Sequence, residues 1–219
     1  MKPWSYSTLV RYETCPRQFY EVKVAKNFVE EESVHQIWGK NVHTAFENYI
    51  KGGGKPKASL PDTMKQWEGV VDKVLALPAT VHTEVPIALD ANFVSAPWDS
   101  CWTRGVIDVM ALGDTTAIVI DWKTGKRKQT EQLKLYAAYV FAVYPQVNEV
   151  ETGLVWLQPR TIDTERIKRD EAPIIWRDFV ERAARLESAY ERDSWPERPS
   201  GLCNGWCPVS TCKYYRAKV

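Results

Sequence analysis

The order of elements between residues 81 and 159 limits the fold more than any other feature of the sequence. Three extended segments follow one another: "VHTEVPIAL" at 81–89, "CWTRGVIDVMAL" at 101–112 and "TTAIVIDWK" at 115–123. They combine alternating or continuous apolar residues with β-branched content, the pattern of half-buried and buried strands. "QTEQLKLYAAYVFAVY" then predicts a helix over about 129–144, and "EVETGLVWLQP" at 149–159 a further strand. Strands interrupted by a helix imply an α/β fold: a mixed central sheet flanked by helices on both faces.

The flanks are helical. The opening "SYSTLVRYETCPRQFYEV" offers Ser5 and Ser7 as caps and reads as a short helix broken at Pro16. "EESVHQIWGKNVHTAFENYIKGGG" spaces Val34, Ile37, Trp38, Val42, Ala45, Phe46, Tyr49 and Ile50 at helical period and stops at three glycines. Residues 62–76 predict another amphipathic helix and 173–193 a long one, before an irregular, cysteine-rich end. The expectation is one domain over 1–219, with a mainly helical part at 1–80, a sheet core at 81–160, and a C-terminal helix with its cysteine segment at 161–219.

At 219 residues with 44% hydrophobic content the chain can bury a sizeable core. Its longest apolar run, "AAYVFAVY" at 137–144, is too short to span a bilayer, and its start does not resemble a secretory signal, so the expected location is the cytoplasm, without a membrane partner. A net charge of +1 gives no global attraction for polyanions. One local cluster does: Lys123, Lys126, Arg127 and Lys128. "GGGKP" at 52–56 lacks the spacing of a nucleotide-binding loop.

The chemistry concentrates at the ends of the second and third strands. Asp108 sits inside an apolar strand, where an unpaired carboxylate is expensive to bury. Asp121 and Lys123 lie two apart on the next strand and share a face, with Trp122 on the other. If the two strands pair as a hairpin, Asp108 and Asp121 converge, and two converging carboxylates suit a hard divalent ion such as Mg²⁺ or Mn²⁺. An ammonium beside such an ion is the minimum equipment for hydrolysing a phosphate ester.

Taken in order, "GKNVH" (Gly39 to His43), "GVID" ending at Asp108, "DWKTG" from Asp121 and "QLKLY" (Gln132 to Tyr136) resemble the motifs of the PD-(D/E)XK nuclease superfamily, in particular its RecB-like branch. The resemblance implies that His43, Asp108, Asp121 and the backbone carbonyl of Trp122 bind the catalytic metal, that Lys123 acts at the nucleophile or on developing charge, and that Gln132 and Tyr136 shape the site or contact DNA. Glu84 is a candidate supporting residue from the preceding strand, weighed against an ordinary edge-strand glutamate. Glu47, on the His43 face of its helix, is left unassigned.

The cysteines extend the resemblance. Cys203, Cys207 and Cys212 are spaced C-x3-C-x4-C, and Cys15 stands far upstream in "CPRQFY". One cysteine near the start and three near the end is the distribution of the AddB-type iron–sulfur nucleases, which implies a [4Fe–4S] cluster on these four residues. Relatives more often space the last three C-x2-C-x5-C, so the middle one is displaced here. Thiolates serve iron clusters and zinc alike, and a Cys₄ zinc site is the rival. Cys101 reads as buried filler.

The function implied is a metal-dependent DNA exonuclease of phage type, in recombination, replication or degradation, with Lys126, Arg127 and Lys128 on the DNA backbone. A recombination or single-strand annealing protein is the partner such a role suggests, with room for an oligomer, in the host cytoplasm. The alternative is a non-cutting DNA-binding or assembly module that keeps this fold, clasped by a structural metal. Among ten tryptophans, Trp4, Trp98 and Trp102 are divided by sequence between neither core nor base stacking.

Overall fold

A computed structural model describes residues 3–217. Its centre is a five-stranded sheet in the order β1-β2-β3-β4-β5, made of β1 (Thr80–Leu89), β2 (Thr103–Leu112), β3 (Thr116–Lys123), β4 (Glu149–Trp156) and β5 (Thr161–Lys168). All neighbours are antiparallel except β3 and β4, which run parallel, Asp121 opposite Leu154. A parallel pair needs a crossover, and α5 (Gln132–Val143) supplies it. The sheet is therefore mixed, as the element order implies.

The chain divides into two compact units. The larger, Ser33–Arg177, holds the sheet, α3 (Val34–Lys51), α4 (Glu68–Leu75) and α5. α3 starts at Ser33, whose hydroxyl accepts from the Gln36 amide while the Gln36 side chain accepts from the Ser33 amide, a reciprocal cap. It ends where Gly53 and Gly54 take positive φ, a conformation that suits glycine. Its buried face, Val42, Phe46, Tyr49 and Ile50, packs with Val71 of α4 and with Val109, Ile120 and Trp122 of the sheet. Trp122 stacks on Phe46 with ring centroids 4.1 Å apart, so the odd residue of Asp-Trp-Lys is the one committed to the core. α5 is buried on nearly every side. Gly105 on β2 lets it approach, because a Cβ there would lie 3.0 Å from Tyr139 and 3.2 Å from Tyr136.

The smaller unit joins residues 1–32 to 178–219, of which the described ones form α1 (Tyr6–Thr14), α2 (Pro16–Phe19) and most of α6 (Ala172–Glu191). Pro16 opens α2 rather than merely ending α1, since its missing N–H falls where a helix has no internal acceptor for it. Trp4 stacks on Phe179, Trp195 sits among Tyr12, Phe19, Tyr20 and Tyr190, and Arg182 grips Glu13 with two bonds of 2.7 and 2.8 Å.

Three sequence expectations change. The helix expected over 62–76 is an α-helix only from Glu68, preceded by a tight 3₁₀ turn at Lys65–Trp67. The helix expected from 129 begins at Gln132. The segment after 160 contains β5, which sequence reading did not anticipate: "TIDTERIK" buries only Ile167 and is held as an edge strand by its backbone ladder to β4.

Candidate active site

The β2–β3 register pairs Val109 with Ile120, which brings Asp108 beside Asp121 at the end of the hairpin, as anticipated. Both are buried, at 8% and 2% exposure. Asp108 Oδ2 accepts the Trp122 backbone N–H at 2.9 Å. Asp121 and Lys123 do share a face: Lys123 Nζ stands 2.7 Å from Asp121 Oδ2. Gln132, at the first turn of α5, ties the group together. Its Oε1 accepts from Lys123 Nζ at 2.8 Å, and its Nε2 donates to Asp121 Oδ1 at 3.0 Å and to Tyr136 Oη at 2.7 Å. One helical turn separates Gln132 and Tyr136, so the crossover helix delivers both to the strand end.

His43 arrives from α3. Its Nε2 lies 3.1 Å from the Trp122 carbonyl oxygen, and its Nδ1 lies 3.3 Å from Asp108 Oδ2 and 4.0 Å from Glu84 Oε1. Its position follows from how close α3 runs to the strand end, where a Cβ on Gly39 would touch Thr124 Oγ1 at 3.4 Å. All the residues singled out by the four motifs thus meet within one site.

The site is short of positive charge. Burial pushes the Asp121 carboxyl up, from 3.8 to about 6; Asp108 adds to this, and Lys123 opposes it. Burial, then Asp108, also raise Glu84. Burial works to lower His43, but the carboxylates of Asp108, Asp121 and Glu84 outweigh it and hold the imidazole above its ordinary 6.5. Burial and the neighbouring Asp121 carry the Tyr136 hydroxyl well above its usual range, so it stays protonated and can donate.

The donor set fits a hard divalent cation. It offers carboxylate oxygens, a backbone carbonyl and an imidazole. Asp121 Oδ2 is buried and is paired with Lys123 Nζ at 2.7 Å. Among the described residues, His43, Glu84 and Asp108 bring three ligand atoms within 4.8 Å of one another.

Of the loop cations, Lys126, Arg127 and Lys128 are exposed, but Arg127 is engaged: Asp163 takes it in a two-pronged pair at 2.5 and 2.9 Å while also accepting Trp156 Nε1 at 2.8 Å. Sequence reading missed Asp163 because it lies on the unanticipated β5. The tryptophans now separate. Trp4 is fully buried, whereas Trp98 is 38% exposed with the Arg104 guanidinium 4.7 Å from its ring. Cys101 is buried, its Sγ 3.2 Å from the Trp98 carbonyl oxygen.

In the smaller unit Cys15, Cys203, Cys207 and Cys212, all free thiols, line one pocket together with Leu202 and Val209. The Arg198 N–H points at Cys15 Sγ at 3.5 Å. Burial raises the Cys207 thiol, and the other three sulfurs are near enough to add to the effect. The four thiols thus share one largely apolar pocket, with an amide directed at one of the sulfurs.

No helix among the described residues is long and apolar enough to cross a membrane. No curated protein matches the chain significantly. Solved structures do. The crystal structure of SSO0001 is 17% identical, with a TM-score of 0.52, covering 98% of this chain and 87% of that one. A candidate exonuclease from Eubacterium rectale is 10% identical, with a TM-score of 0.56, covering 96% and 86%. At such identities these likenesses establish the fold. The family follows from the sequence model that matches residues 3–212: the chain belongs to the PD-(D/E)XK nuclease superfamily.

Proposed function

We propose that the protein is a divalent-metal-dependent DNA exonuclease. The observation that supports this best is the bonded group Asp121–Gln132–Lys123, with Asp108 and His43 beside it, at the one strand end where the family's D-x-K motif falls. His43, Asp108 and Asp121, with the Trp122 carbonyl beside His43 Nε2, form the donor set for Mg²⁺ or Mn²⁺. A bound divalent cation supplies Lewis acidity toward the phosphodiester and a lowered proton affinity for water.

The residues of the chain do the rest. Gln132 holds Lys123 by its Oε1, so the ammonium is aimed before substrate arrives and needs little reorganisation to meet negative charge developing on the phosphate. Tyr136 accepts from Gln132 and keeps its own O–H to donate to a phosphate oxygen or to the attacking water. Lys126, Arg127 and Lys128 follow the DNA backbone past the cut; for Arg127 this requires exchanging Asp163 for phosphate. Exonuclease action is favoured by the resemblance to the RecB-like branch and by the structural likeness to a protein described as an exonuclease candidate. A role in phage DNA recombination, replication or degradation is the setting that the resemblance to the RecB-like branch suggests.

Cys15, Cys203, Cys207 and Cys212 would hold a [4Fe–4S] cluster that fastens the two ends of the chain, zinc being the rival. Brown colour and visible absorbance of protein purified without oxygen decide between them. Cys15→Ala is expected to lower stability and solubility first; full hydrolysis by a well-folded, cluster-free Cys15→Ala protein would refute the structural role. The catalytic reading is tested with linear DNA and Mn²⁺, comparing wild type with Asp121→Ala. Equal degradation by both would refute it.

A further inference from the structure

Two unfavourable features meet at Glu84. Its backbone is left-handed, φ +50°, in the middle of the ten-residue β1, a conformation disfavoured for any residue with a Cβ. The β1–β2 register pairs Thr83 with Val109 and Val85 with Ile107, which sets Glu84 opposite Asp108. Like charges facing each other across a ladder repel. Yet the side chain turns toward the acids and His43 rather than away, with Oε1 4.0 Å from His43 Nδ1. On β3 nearby, the buried Asp121 adds a third carboxylate, which Lys123 Nζ meets at 2.7 Å, leaving Glu84 and Asp108 without that ammonium. Strain and repulsion held in one place call for a positive charge between the carboxylates.

The spacing suits one. An octahedral ion with bonds of about 2.1 Å keeps neighbouring donors about 3.0 Å apart and opposite ones about 4.2 Å apart. The 3.3 Å from His43 Nδ1 to Asp108 and the 4.0 Å to Glu84 fall between these limits. The imidazole is set accordingly: with Nε2–H donating to the Trp122 carbonyl at 3.1 Å, the lone pair of Nδ1 faces both carboxylates. Building on the nuclease reading, we propose that Glu84 is a direct ligand of the divalent cation, sharing it with Asp108 and His43 Nδ1, and that the left-handed backbone keeps its carboxylate within reach. Neither the D-x-K motif nor the helical histidine motif contains this residue.

Mn²⁺ binding by isothermal titration calorimetry, without DNA, tests the assignment on wild type, Glu84→Gln, Glu84→Gly and Asp121→Asn, with circular dichroism reporting folding and Tm. Glu84→Gln is expected to weaken Mn²⁺ binding at least tenfold. Glu84→Gly should weaken it as much while raising the Tm of the metal-free protein, because glycine accepts the backbone and removes the repulsion; the lost affinity then cannot come from a damaged fold. Unchanged affinity in Glu84→Gln beside weak binding by Asp121→Asn would overturn the role of Glu84 and leave the nuclease reading standing. Absence of Mn²⁺ binding by wild type would overturn both.

Discussion

Asp121→Asn is expected to remove activity and, without divalent metal, to make the protein more stable at neutral pH. Asp121 is 2% exposed, and burial, reinforced by Asp108, lifts its carboxyl from 3.8 to about 6 despite Lys123 at 2.7 Å. A carboxyl whose proton affinity rises on folding favours the native state while protonated. That contribution is complete below about pH 4 and is lost as pH climbs through about 6. At about 1.4 kcal/mol for each tenfold change in proton affinity, the charged form costs the fold about 3 kcal/mol at pH 7.5. Asparagine keeps the shape and stays neutral. Urea unfolding followed by tryptophan fluorescence, in EDTA without oxygen from pH 4 to 8, should show wild type losing stability between pH 4 and 6.5. Asp121→Asn should lack that loss and be the more stable protein at pH 7.5. Millimolar Mn²⁺ should close the gap by stabilising wild type alone. A variant no more stable than wild type at pH 7.5 without metal would refute the reasoning.

Gln132→Ala frees Lys123 and Tyr136 from their shared tether and is expected to lower kcat 10- to 100-fold with little change in KM for DNA; an unchanged kcat in steady-state hydrolysis would deny it a positioning role. Arg169 donates to the carbonyls of Phe141, Tyr144 and Val147 around the end of α5, at 3.0, 2.7 and 2.7 Å. Arg169→Ala should cost about 2–3 kcal/mol in urea unfolding, and Arg169→Lys should recover less than half, because a single ammonium cannot span three acceptors. Reversing the charge of Lys126, Arg127 and Lys128 together should flatten the salt dependence of DNA binding by about two to three in log–log slope; an unaltered slope places these cations off the DNA path.

The sequence made the site legible because strand pairing and helix period are strict. Once β2 and β3 read as neighbours, Asp108 and Asp121 had to meet, and once α5 read as the crossover helix, Gln132 and Tyr136 had to share a face. What stayed hidden depends on tertiary contact alone. β5 shows little apolar alternation because seven of its eight side chains remain at least partly exposed, and its stability comes from backbone pairing. With β5 unseen, Asp163 could not be placed beside Arg127. Glu84 looked like any edge-strand glutamate, since its left-handed backbone and its place opposite Asp108 have no signature in "VHTEVPI". The cysteines were legible as a set, because four thiols at the two ends of a chain have meaning only if the ends meet, and they line one pocket.

The most direct measurement is degradation of end-labelled linear DNA by wild type, Asp121→Ala and Lys123→Ala, each verified as folded, with Mn²⁺ and with EDTA. Wild type should shorten the DNA from its ends with Mn²⁺ and do nothing in EDTA, and both variants should fall at least a hundredfold in rate. Cleavage that survives EDTA, or that proceeds equally in all three proteins, would contradict an acid-and-lysine centre that works through a divalent cation.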